Sequence, residues 1–204
     1  MPPDTNISNP PLLQLETDKE SAAALVRLLQ DGFYLPDVAA GTSVREFLTR
    51  VLGLDPEYIR NRIQSLFLDG KPVDDYDKAH VRDGSRLALS SALPGLVGAT
   101  LRQGGLLASF RNTITYQETT AGTGGTSLVH VKLFNLIMDE MGPMLLQKGV
   151  LVKASVLRTF LTENQEVAGS SKKILLDSKP TDAASLLRND FAGSDLVRIS
   201  VLVS

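Results

Sequence analysis

Four aspartates crowd one short stretch, Asp69, Asp74, Asp75 and Asp77. Carboxylates this close can do acid–base work or hold a hard cation through oxygen ligands. Aspartate is equally at home in solvated turns, where its charge keeps sheet edges soluble. The turn reading is preferred, because a later copy of this stretch keeps only Asp177 and Asp182 of the set. The chain has two histidines, His80 and His130, and no cysteine. Thiolate chemistry, disulfides, cysteine-based zinc or iron–sulfur sites and histidine-rich metal centres are therefore excluded. Ser170 and Ser171 have no histidine nearby in sequence, so no nucleophile–base pair stands out. His80 lies in a polar loop, and His130 in an alternating segment that suits a strand. Gly122-Thr123-Gly124-Gly125-Thr126-Ser127 invites a phosphate-cradle reading. Such a cradle needs a strand before it, a helix N-terminus after it and usually a lysine. Here a strand-like segment follows and no lysine is close, so a linker or hairpin loop is expected.

Composition narrows the function classes. The 204 residues carry a formal net charge of −2, with 43% hydrophobic and 22% charged residues. No global basic field exists to hold nucleic acid or an anionic membrane. No apolar run reaches the roughly 20 residues that span a bilayer. The start, Met1-Pro2-Pro3-Asp4, lacks the basic and apolar regions of a secretory signal. A soluble, cytoplasmic chain is expected, without cofactor, metal, nucleic-acid or membrane partner.

The elements come next. Residues 1–18, with Pro2, Pro3, Pro10 and Pro11, read as a flexible N-terminal arm. Ala24 to Leu29, closed by Asp31-Gly32 and followed by Phe33-Tyr34-Leu35, reads as a hairpin, with a helix through Leu29 the competing reading. Val44, Phe47, Leu48, Val51 and Leu52 recur at helical spacing. Thr42 or Ser43 is the N-cap, Glu46 completes a capping box after Ser43, and Gly53 is the stop. A shorter helical turn follows at Pro56–Ile59. Leu66 to Val73 is a strand, tight turn and return strand, and Arg86–Leu89 is a further strand.

This plan repeats. Leu66-Phe67-Leu68-Asp69-Gly70-Lys71-Pro72-Val73 returns as Ile174-Leu175-Leu176-Asp177-Ser178-Lys179-Pro180-Thr181. Val156 to Thr162 parallels the helix at Val44 to Thr49. The closing stretch, Ala192 to Val203, matches the strand at Gly84-Ser85-Arg86-Leu87. Leu128 to Phe134 alternates as a half-buried strand does, Met141-Gly142-Pro143 breaks the segment, and Met144 to Val152 returns. Matching pieces in matching order point to two versions of one small domain.

Those pieces, "Gly-Thr-Ser-Val-Arg-Glu-Phe-Leu", "Phe-Leu-Asp-Gly-Lys-Pro-Val" and "Val-Arg-Asp-Gly-Ser-Arg-Leu-Ala-Leu", resemble the β-grasp of the MoaD/ThiS sulfur carriers and their ubiquitin-like relatives. The resemblance covers about residues 22–92. It implies an α+β fold of two tandem β-grasp domains, each a mixed sheet with one main helix. The expected divisions are an arm at 1–18, domains at 19–92 and 127–204, and an apolar, glycine-rich connector at 93–126. Carriers of that family work through a C-terminal diglycine activated by an adenylating enzyme. Here the second domain ends Leu202-Val203-Ser204 on its last strand, which departs from the pattern. One internal pair, Gly104-Gly105 after Leu101-Arg102-Gln103, resembles the ubiquitin-type ending. Cleavage after Gly105 by a protease would free a carrier. The alternative is a short helix opened by Pro94 and closed by Gly104, and it is preferred.

The expectation is a non-enzymatic, ubiquitin-like protein-binding or modifier-type module. Its partner would be a protein, an adenylating enzyme or a protease if processing occurs. The apolar stretch bearing Leu93, Leu96, Val97, Leu101, Leu106, Leu107 and Phe110 would pack between domains or form an interface, including a homodimer. An enzyme with a small-molecule or metal site is the least favoured reading.

Overall fold

The computed structural model describes residues 9–91, 95–102, 105, 115–117 and 125–204, apart from the side chains at 96, 97, 99 and 192. The chain opens with β1 (Leu12–Thr17), α1 (Lys19–Val26) with a 3-10 turn at Arg27–Gln30, and β2 (Phe33–Ala39). Next come α2 (Val44–Glu46), widened to a π turn over Phe47–Val51, and α3 (Pro56–Arg62). Strands β3 (Ser65–Leu68), β4 (Lys71–Pro72) and β5 (Arg86–Ser90) precede α4 (Gly95–Leu101). The second half runs β6 (Thr126–Phe134), α5 (Leu136–Lys148), β7 (Val150–Lys153), α6 (Ala154–Glu163) and α7 (Gln165–Ser170). It closes with β8 (Lys173–Leu176), β9 (Lys179–Pro180), α8 (Ala183–Leu187) and β10 (Leu196–Val203). The class is α+β, with parallel and antiparallel strand pairs. Two units separate, unit 1 being Met1–Phe33 with Asp139–Ser204 and unit 2 being Tyr34–Met138.

Unit 2 orders its strands β4-β3-β5-β6-β2. β3 pairs antiparallel with β4 and β5, and β5 runs parallel to β6. Alternation decides the faces: Leu66, Leu68, Leu87, Leu89, Val129, Val131 and Leu133 are all buried on one side. The helical segment contributes Val44, Phe47, Leu48 and Ile59 to the same core. Ser43 caps α2 by accepting from the Glu46 amide at 3.2 Å. The Glu46 carboxylate turns outward to Arg50 instead of reaching back, so half of the expected capping box forms. Asp55 caps α3, with Pro56 in the first turn.

Unit 1 has the corresponding order β7-β10-β1-β8-β9. β8 is antiparallel to β9 and β1, β1 is parallel to β10, and β10 is antiparallel to β7. Its core joins Leu13, Leu15, Ile199 and Val201 of the sheet with Leu157 and Leu161 of α6, Val167 of α7 and Leu186 of α8. Each such side chain contributes about 1.5–3 kcal/mol on full burial.

Four sequence expectations change. Leu12–Thr17, placed in the flexible arm, is a central strand, because Leu13, Leu15 and Thr17 alternate inward and are buried. The strand expected at Ala24–Leu29 is instead α1 and its 3-10 turn, the competing helical reading. Met144–Lys148 is helical too, since Ile137, Met141 and Leu145 recur every four residues and all are buried. α5 carries Pro143 within it and does not break there. Finally, β10 does not take the place of β5. It takes the place of β6, and β1 fills the place next to the hairpin.

Candidate functional site

The acidic stretch resolves into separate local duties. Asp69 has φ 51° and begins the tight turn. Its carboxylate accepts from the Arg86 amide at 2.7 Å, and its own amide donates to the Arg86 carbonyl at 2.8 Å. Asp75 accepts from the amides of Asp77 and Lys78 and pairs with the Lys78 ammonium at 3.0 Å. The Lys78 contact, aided by those amides, holds the Asp75 carboxyl below the usual carboxylate range. Asp77 pairs with Arg45, and Asp74 is exposed. Among the described residues no group of three histidine or carboxylate side chains could hold a metal ion.

The remaining polar candidates are also accounted for. His80 makes a backbone bridge to Ser43, and the His130 ring lies 4.6 Å from that of Tyr34 between centroids. Ser170 Oγ sits 2.7 Å from Ser21 Oγ, which lies 3.4 Å from Asp18 Oδ2. This is a helix-cap network, since Asp18 accepts the Ser21 amide at the start of α1. The amide holds the Asp18 carboxyl low, which makes it a poor general base. In the glycine loop, residues 122–124 lie outside the described set. The Gly125 carbonyl accepts the Ala40 amide at 2.9 Å, and the chain enters a strand rather than a helix N-terminus.

Of the diglycine and apolar stretch, Gly104, Leu93, Leu106, Leu107 and Phe110 lie outside the described residues, as do the side chains of Leu96 and Val97. Leu101 is half-buried, and its carbonyl accepts from Ser65 Oγ at 3.3 Å. The Gly105 amide closes a turn on the Arg102 carbonyl at 3.2 Å. The Tyr116 amide donates to the Pro72 carbonyl at 2.8 Å.

A shallow groove of about 260 Å³ lies in unit 1 between the 3-10 turn and α6. Arg27, Asp31 and Glu163 rim it, all exposed, with Leu28, Val156 and Phe160 beneath. Its ionisable groups are solvated and do not converge, which gives it little catalytic potential.

The outer sheet faces offer more. In unit 2, Arg86 pairs with His130, Ala88 with Lys132 and Ser90 with Phe134. In unit 1, Leu12 pairs with Arg198, Gln14 with Ser200 and Glu16 with Leu202. Superposing the two Asp-held strand starts, Arg86 and Leu12, puts His130 with Arg198 and Phe134 with Leu202. Phe134 is 38% exposed and Leu202 51%, both large apolar side chains at the same place on each outer face. Sequence reasoning missed this pair. The alternation of Leu128 to Phe134 held the signal, because Phe134 falls on the polar parity of that strand.

Comparison with known proteins finds no matching family model, no matching curated protein and no matching solved structure.

Proposed function

We propose that this chain is a non-catalytic protein-binding module of two ubiquitin-like β-grasp units, each offering an outer sheet face to a partner protein. The strand order supports the fold half of this reading. Each unit sets an edge hairpin beside two parallel central strands, with its helices on the buried side, as in a β-grasp. The connectivity differs from the simple form, since unit 2 takes one central strand from β6 after the connector, and unit 1 takes one from β1. A β-grasp with this exchange keeps the layers while changing which segment fills each place.

One observation carries the functional half. Phe134 and Leu202 occupy equivalent positions on the two outer faces and remain exposed. A single exposed apolar residue is ordinary, but recurrence at one register position marks a used surface. In unit 2 the tilted Tyr34–His130 ring pair lies where Arg86 pairs with His130, and aromatic and arginine side chains are enriched at protein interfaces. The experiment is the Phe134→Asp, Leu202→Asp double variant in capture of partners from the native cells. Discrete partners should fall at least tenfold while the thermal midpoint is unchanged. Equal capture by the variant would sink the reading.

A further inference from the structure

We infer that the open edge of β9 is a docking strip for a peptide segment of a partner protein, one bearing an aromatic residue whose amide meets the Pro180 carbonyl. The argument starts from hairpin parity. In unit 2 the Val73 amide donates to Leu66, and the two-residue turn joins Leu68 to Lys71. Pro72 therefore sits at the position whose backbone groups face away from β3. Proline costs nothing there, because no ladder amide is needed. Its carbonyl points outward and receives the Tyr116 amide at 2.8 Å, and Pro72 is buried.

Unit 1 repeats the geometry without the cover. The Thr181 amide donates to Ile174 at 3.0 Å, and Pro180 pairs with Leu175. By the same parity the Pro180 carbonyl faces outward. Lys179 and Pro180 are both exposed, and among the described residues no amide reaches that carbonyl. Leu176 stays half-buried where its counterpart Leu68 is fully buried.

Unit 2 supplies the template for the occupant: an aromatic residue, Tyr116, donates its amide to the proline carbonyl. Lys179 is exposed beside Pro180, and the carboxylates of Asp177 and Asp182 on either side accept the Leu12 and Ser185 amides, so this edge carries both signs of charge. Lysine and proline also guard edges against aggregation, yet the same pair, Lys71-Pro72, accepts Tyr116 in unit 2. Addition of a peptide to an exposed sheet edge is a known mode of recognition.

This inference rests on the binding-module reading but uses a different surface. The test titrates isotope-labelled full-length protein with a synthetic peptide of residues 113–119, Thr-Ile-Thr-Tyr-Gln-Glu-Thr. Saturable shifts should gather at 173–181. Binding should weaken at least fivefold with the tyrosine amide N-methylated. No saturable shift at millimolar peptide, shifts confined to 71–73, or equal binding of the N-methyl peptide would each overturn it. The Phe134→Asp, Leu202→Asp protein should bind the peptide unchanged. If the peptide fails while partner capture still depends on Phe134 and Leu202, the inference falls and the binding-module reading stands.

Discussion

Asp177 grips Leu12 by both main-chain groups: its carboxylate accepts the Leu12 amide at 2.9 Å, and its amide donates to the Leu12 carbonyl at 2.9 Å. Asp69 treats Arg86 identically. The two repeated turns therefore do one job, which is to fix the start of the strand beside the hairpin. In unit 2 that strand follows the hairpin in sequence. In unit 1 it arrives from the N-terminal end of the chain, 165 positions away.

Loss of this grip should loosen β1 first. Asp177→Ala removes an amide–carboxylate bond at an exposed site, worth about 1 kcal/mol. Hydrogen exchange should quicken at 13–17 more than at 87–89, and Asp69→Ala should reverse the pattern. Equal effects on both strands would contradict the assignment.

The second turn carries avoidable strain. Asp69-Gly70 and Asp177-Ser178 both have two positive φ values, the geometry of a type I′ hairpin turn. Ser178 at φ 65° costs roughly 1 kcal/mol that Gly70 avoids. Ser178→Gly should raise the thermal midpoint by about 2–4 °C, and Gly70→Ser should lower it similarly.

Gly142 marks a close helix crossing. A Cβ there would lie 2.5 Å from Val26 Cγ1. Gly142→Ala gains helix propensity, which on an open face would stabilise by about 1 kcal/mol. Here overpacking should win and destabilise by about 1–3 kcal/mol. Val26→Ala in the same chain should recover part of the loss, giving a favourable coupling in a double-mutant cycle.

Acid sensitivity follows from the helix caps. Backbone amides, of Ser21 at Asp18 and of Ser185 at Asp182, hold both carboxyls below the ordinary 3.8. A carboxylate depressed in the folded state adds stability above its unfolded pKa and loses it as pH falls through the folded value. Urea midpoints should therefore drop below about pH 4. Asp18→Asn and Asp182→Asn keep a side-chain cap but remove the charge, so each should flatten that slope by lowering the midpoint at pH 7 more than the midpoint at low pH.

Much of the fold could be read from local chemistry. The two hairpins announced themselves through Asp-x-Lys-Pro, and Ser43 through its place before an apolar stripe. β1 was hidden because Pro10-Pro11 and a polar start outweighed Leu13 and Leu15, the two inward apolar residues of a six-residue strand. α5 was hidden because Gly142-Pro143 looks like a break, whereas its buried stripe needed the partner helix to explain the glycine. The exchange of central strands is a non-local fact, and no short window encodes it. Phe134 and Leu202 became visible only when strand register fixed which parity faces outward.

The most direct test of the binding account places a photo-crosslinking amino acid at 134, at 202, or at the exposed control position Glu166, in full-length protein within its own cells. Positions 134 and 202 should each give discrete adducts of defined mass with another protein, well above the control. Adducts absent from both, or no stronger than at Glu166, would contradict the claim that the outer faces are where this chain meets its partner.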